Sequence, residues 1–106
     1  MILVLWDARA LAKRFVAEIG SQTVNALFWA VPPAQMVTTI MSYLNSTDGA
    51  ILQAFLKHAG PMRPSVVSVL VASDQCLLRA AKAEGLRVLN PEIILAADVP
   101  QFLAAL

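Results

Sequence analysis

Three aspartates stand where carboxylates could act on a phosphodiester. Asp7 follows the apolar run Ile2-Leu3-Val4-Leu5-Trp6, Asp74 follows a second apolar run and Ser73, and Asp48 lies in Ser46-Thr47-Asp48-Gly49. Three carboxylates converging at one sheet edge make an oxygen-rich site for a hard cation, Mg²⁺ or Mn²⁺. Such an ion activates water and stabilises charge on a phosphodiester. The competing reading is structural: Asp favours the start of a helix, so Asp48 and Asp74 serve as caps. Spacing alone leaves both readings open. Arg9, Lys13 and Arg14 follow Asp7 closely. They either hold an RNA backbone or form a solvated helix face with ordinary i,i+4 spacing. His58 is the only histidine, which excludes a two-histidine ribonuclease mechanism. Its expected place, late in a helix, suits a dipole role. Cys76, the only cysteine, excludes an intrachain disulfide and reads as a small buried hydrophobe. Thr38 and Thr39 read as strand filling, and there is no Gly-rich phosphate loop.

The elements that would position these groups follow from hydrophobic spacing. Residues 2–6 are continuously apolar and too few for a helix, which predicts a strand buried on both faces. Residues 8–19 predict a helix with Leu11, Phe15 and Ile19 inward, ended by Gly20. Ser21 is the expected cap of a second helix over 22–31, which places Val24, Leu27, Phe28 and Val31 together and stops at Pro32-Pro33. A β-branched strand is expected at 36–40 and a turn or helix at 41–45. A helix over 47–59 turns Ile51, Leu52, Phe55, Leu56 and Ala59 inward, and Gly60, Pro61 and Pro64 mark a loop. Residues 66–72 are the clearest buried strand. Ser73 then caps a helix over 74–84 that Gly85 closes. A strand at 86–89, an Asn90-Pro91 turn and a helix over 99–106 complete the pattern. Strands alternating with helices predict a three-layer α/β/α fold with a short, mainly parallel sheet, in a single minimal domain over 1–106. Ligands of such sheets sit outside the carboxyl ends of the strands, where Asp7 and Asp74 fall.

Composition narrows the class. Of 106 residues, 58% are hydrophobic and 14% charged, with a net charge of +1. This excludes disorder and a clamp that holds nucleic acid by bulk charge. The start lacks the basic region of a signal peptide, and no apolar run reaches the ~20 residues of a membrane span. A cytoplasmic protein is the expectation.

Several of these segments, taken in order, resemble PIN domains, close to the bacterial toxin type (VapC-like). They are Leu5-Trp6-Asp7-Ala8-Arg9-Ala10-Leu11-Ala12-Lys13-Arg14-Phe15, Val37-Thr38-Thr39-Ile40-Met41-Ser42-Tyr43, Asn45-Ser46-Thr47-Asp48-Gly49-Ala50-Ile51-Leu52, Leu70-Val71-Ala72-Ser73-Asp74-Gln75 and Gly85-Leu86-Arg87-Val88-Leu89-Asn90-Pro91-Glu92. The resemblance implies a metal-dependent endoribonuclease in which Asp7, Asp48 and Asp74 hold Mg²⁺ or Mn²⁺ at the carboxyl edge of the sheet. It also implies an antitoxin peptide as partner. The chain departs from the family in two ways. No acid stands after the second strand where the family has Glu, and the family's middle helical segment is missing. Arg9 stands where Ser or Thr is usual. These departures support an alternative, a catalytically inactive PIN-like binding or dimerisation module. Trp6 and Trp29 read as core or interface residues. The missing segment would uncover Phe28, Trp29, Met36, Met41, Leu44 and Phe55, which predicts self-association as a homodimer or other homo-oligomer.

Overall fold

Four parallel strands in the order β2-β1-β3-β4 form the central sheet of the computed structural model. The structure describes residues 1–38, 47–59 and 65–106; the side chains of Asp48, His58 and Ala59 lie outside that description. β1 (Ile2–Trp6) and β3 (Val67–Val71) pair along their whole length, from Ile2 opposite Val67 to Trp6 opposite Val71. β2 (Met36–Val37) flanks β1, and β4 (Arg87–Leu89) flanks β3.

Successive side chains of a strand point to opposite faces, and both faces here are covered. Leu3, Leu5, Leu70 and Ala72 pack on one side against Ile51, Leu52 and Phe55 of α3 (Asp48–Ala59) and Leu77, Leu78 and Ala81 of α4 (Gln75–Ala83). Val4, Trp6, Val69 and Val71 pack on the other against Ala10 of α1 (Ala8–Ala12), Val24 and Leu27 of α2 (Ser21–Ala30) and Val99 of α5 (Val99–Ala104). The fold is therefore the expected three-layer α/β/α with a parallel sheet. Double coverage explains why β1 is apolar throughout and β3 is apolar apart from Ser68.

Local signals account for several boundaries. α4 ends as expected at Gly85, whose φ of 84° suits glycine. The Gly85 N–H donates to the Lys82 carbonyl (3.0 Å) and the Leu86 N–H to the Ala81 carbonyl (3.0 Å), closing the helix as a Schellman motif. At the start of α3, the Thr47 hydroxyl accepts from the Ala50 N–H (3.3 Å).

The expected helix over 8–19 is shorter. α1 stops at Ala12, and the next residues form tight turns in which the Lys13, Arg14 and Phe15 N–H groups donate three residues back. Phe15 and Ile19 are exposed rather than inward. The chain leaves the helix where Lys13 joins two carboxylates, one of them on the loop after β4. Gly20, expected to end this helix, instead starts α2 with a φ of 92°. Ser21, the expected cap, is the first residue of α2; its hydroxyl accepts from the Glu18 N–H (2.9 Å) and donates to the Val16 carbonyl (3.1 Å). It ties the preceding loop instead of capping.

Trp6 is core, Trp29 is exposed, and Phe55 is fully buried, contrary to its expected uncovering. α3 covers Phe55 against the sheet without any further helical segment. The Thr38 hydroxyl donates to the Trp6 carbonyl (2.8 Å). The readings of Thr39, Met41, Leu44, the segment 41–45 and the loop around Gly60, Pro61 and Pro64 lie outside the described residues. Among the described residues, no helix is long and apolar enough to cross a membrane.

Candidate functional site

Because β1 and β3 are adjacent and parallel, the residues that follow them leave the sheet side by side at its carboxyl edge. The Asp7 N–H continues the ladder by donating to the Val71 carbonyl (3.0 Å). Asp7 and Asp74 then line one cleft of about 480 Å³, shared with Arg9, Lys13, Glu18, Ser73 and Glu92.

Asp74 is the N-cap of α4. Its Oδ1 accepts from the Cys76 N–H (2.9 Å) and the Leu77 N–H (3.2 Å). The capping reading thus holds for Asp74, and Ser73, the expected cap, stands one residue too early to reach these donors. Both cap bonds fall on Oδ1, so Oδ2 takes no part in the cap. Asp7 occupies the N-cap position of α1, yet its side chain makes no cap bond. It is buried, at 5% exposure. Asp48 is the first residue of α3. A crossover helix between parallel strands runs back toward their amino ends, so α3 starts on the carboxyl side of the sheet. Among the described residues, no three His, Cys, Asp or Glu side chains lie close enough to hold a metal ion. The structure therefore brings Asp7 and Asp74 into one cleft, while the Asp48 carboxylate lies outside the described residues.

Sequence reasoning gave no role to Glu18 or Glu92. Lys13 Nζ lies 2.9 Å from Glu18 Oε1 and 3.3 Å from Glu92 Oε2. Burial pulls the Lys13 pKa down, but the two carboxylates outweigh it and hold the ammonium above its ordinary value. The Ser73 hydroxyl oxygen is buried without a well-formed hydrogen bond. Its approach to the Glu92 carboxylate, followed by the hydrogen bond and the charge of Lys13, holds that carboxyl below its ordinary value. The signal for Glu92 was its place just after the turn that follows β4. There Asn90 Oδ1 accepts the Glu92 N–H (3.0 Å), fixing the residue at the same sheet edge. Gly20 holds the two loops together: a Cβ on it would lie 2.9 Å from the Pro91 carbonyl oxygen.

The three basic residues expected to contact RNA have different fates. Arg9 is exposed at the cleft and makes no ion pair with the described residues. Lys13 is buried, and its ammonium bridges two glutamates instead of facing a phosphate. Arg14 turns onto α2: its Nη1 donates to Asn25 Oδ1 (2.9 Å), and its guanidinium lies 4.0 Å from the Phe28 ring centroid. Cys76, expected to be buried, is exposed in the first turn of α4. The faces of that helix explain this, since Leu77, Leu78 and Ala81 are the residues turned to the sheet.

Fold and cleft together define the class: a small three-layer α/β domain with a carboxylate-lined cleft at the carboxyl edge of a parallel sheet. Compared with protein-family models, curated proteins and solved structures, the chain matches none.

Proposed function

We propose that the chain is a divalent-metal-dependent endoribonuclease of PIN type, toxin-like, with Asp7 and Asp74 as ligands and Asp48 assisting. The observation that carries this reading is the pair Asp7 and Asp74, delivered by adjacent parallel strands into one cleft. Asp74 keeps one carboxylate oxygen outside its cap, so its structural role and a ligand role are compatible. Mg²⁺ typically retains several waters and takes one or two protein carboxylates plus phosphate oxygens, a donor set this pair fits. Four carboxylates and two cations line the cleft, an excess of negative charge suited to a dication. When bound, the ion supplies Lewis-acid stabilisation of the phosphodiester and activates water. Arg9, exposed at the cleft, receives a phosphate of the RNA. Lys13 neutralises Glu18 and Glu92, which would otherwise repel the backbone. The reading carries with it RNA as substrate, cytoplasmic action, and a second copy or an antitoxin peptide as partner.

One observation favours the alternative, an inactive PIN-like binding or dimerisation module. The Lys13 ammonium already serves as the cation for two acids of the cleft. The deciding experiment is cleavage of a mixed RNA with Mn²⁺ or Mg²⁺, against EDTA and against Asp74→Asn. Asn caps a helix as well as Asp does, so this variant keeps α4 and removes only the charge. Metal-dependent cleavage that falls on the order of 10²-fold in Asp74→Asn supports the nuclease. A folded wild-type protein that cleaves nothing overturns it and leaves the module.

A further inference from the structure

The outer side of α2 carries a second arrangement, apart from the carboxylates. Beyond α1, the Arg14 guanidinium lies 4.0 Å from the Phe28 ring centroid and 5.3 Å from that of Trp29. Its Nη1 is held by Asn25 Oδ1 at 2.9 Å. The Phe28 and Trp29 rings meet edge to face, with centroids 6.4 Å apart and planes at 85°. Trp29 is 77% exposed. The indole is thus anchored on Phe28 and Arg14 while most of its π-surface faces solvent.

The charge beside it selects an occupant. α2 itself contains no charged residue, and no carboxylate of the described residues pairs with Arg14. The guanidinium is thus fixed by neutral groups, with no carboxylate of the described residues beside it. An apolar protein segment would cover the indole and strand that charge. A nucleotide complements both groups, because every base offers a π-face to an indole and every phosphate offers oxygens to a guanidinium. Arg14 directly follows Lys13, which lines the cleft together with Asp7 and Asp74.

We propose that Trp29 and Arg14, braced by Phe28 and Asn25, form a stacking site for one unpaired nucleotide of single-stranded RNA, with the base on the indole and the phosphate on the guanidinium. The site deepens the ribonuclease reading and rests on it for the identity of its ligand, but its binding needs no metal. Stacking requires unpaired bases and tolerates any base, so the site selects single strands over duplex without reading sequence.

The test is binding in EDTA, where cleavage is switched off. Trp6 is buried and Trp29 exposed, so quenching of tryptophan fluorescence by a short oligoadenylate reports Trp29. Anisotropy of a labelled oligonucleotide reports affinity independently. Trp29→Ala is expected to weaken binding about 5- to 150-fold, the value of one stacked base, and Trp29→Phe to retain most of it. Arg14→Gln is expected to reduce the slope of log affinity against log salt by about 0.7, one phosphate contact on a single strand. A duplex of the same length should not quench. Circular dichroism checks that each variant is folded. Unchanged affinity in Trp29→Ala overturns the proposal, as does a variant that changes only the oligomeric state, which would make this face a contact between copies. Stacking without any metal-dependent cleavage sinks the nuclease reading alone; cleavage without stacking sinks this site alone.

Discussion

Replacing glycine by alanine should have opposite effects at two positions. Gly20 has a φ of 92°, and a Cβ there would lie 2.9 Å from the Pro91 carbonyl oxygen, 3.0 Å from its carbon and 3.3 Å from the Glu92 nitrogen. All three contacts are backbone atoms, so no side chain can swing aside. The left-handed conformation costs an L-residue roughly 1–2 kcal/mol, and overpacking adds about 1–3 kcal/mol. Reduced freedom of the unfolded chain returns about 0.4–1 kcal/mol. Gly20→Ala should therefore destabilise by about 1–5 kcal/mol, a large share of the ~5–15 kcal/mol available to a domain of this size. Gly49 lies in the first turn of α3, and a Cβ added there meets nothing within 4 Å. Gly49→Ala should stabilise by up to about 1 kcal/mol. Urea unfolding followed by circular dichroism gives both values as midpoint shifts at constant m. If Gly20→Ala lies within about 0.5 kcal/mol of wild type, or both variants shift the same way, the Gly20–Pro91 contact does not hold the loops as argued.

Asp74→Ala should cost about 1 kcal/mol while Asp74→Asn costs little, since only alanine lacks the cap acceptor; equal losses in urea unfolding would show that α4 does not depend on the cap. The glutamate and lysine of the cleft give a pH dependence with a fixed sign. Glu92, held below its ordinary 4.5, stabilises the fold above that pH, and the contribution is lost as pH falls through its lowered pKa. Lys13, held above its ordinary 10.5, stabilises the fold below that pH, and the contribution is lost as pH rises through its raised pKa. Lys13→Met should remove the alkaline limb, and both it and Ser73→Ala should make the acid limb shallower. Melting temperature measured across pH checks this, and a Lys13→Met variant with both wild-type limbs would refute it. Phe55→Ala should cost about 3–5 kcal/mol because the ring is fully buried between α3 and the sheet; a urea midpoint shift worth less than about 2 kcal/mol would mean that this face repacks.

The sheet was legible because its residues leave little choice. Ile2, Leu3, Val4, Leu5 and Trp6 offer no polar face, so only a strand covered on both sides suits them, and the helices between strands force the parallel arrangement. The end of α4 was equally plain in Gly85, which closes it at positive φ. The segment after Ala12 was not legible. Leu11, Phe15 and Ile19 carry helical spacing, and the residues between them favour helix. The helix ends at Ala12, just before Lys13, whose ammonium pairs with Glu92, a partner far along the chain that no local window includes. Gly20 meets the same distant loop, because Pro91 occupies the space where a side chain would stand, and its positive φ is a second demand for glycine.

The same distinction governs the site. Asp7 and Asp74 were recognisable from their place after apolar runs, and strand order then made them neighbours. Whether Asp74 caps or ligates was undecidable from spacing, because an aspartate between the carboxyl end of a strand and the start of a helix suits either role. The structure shows why the choice was never exclusive: a carboxylate has two oxygens, and the cap uses one. Glu92 escaped notice for the opposite reason. Its role is set by Lys13 and Ser73, which stand on two other elements. The charge of the cleft is therefore a property of assembled loops. Removing Lys13 would leave Glu18 and Glu92 unneutralised and make the cleft more attractive to a dication but more repulsive to an RNA backbone. A nuclease of the proposed kind needs both partners at once, so under that proposal the Lys13 charge sets the balance between them.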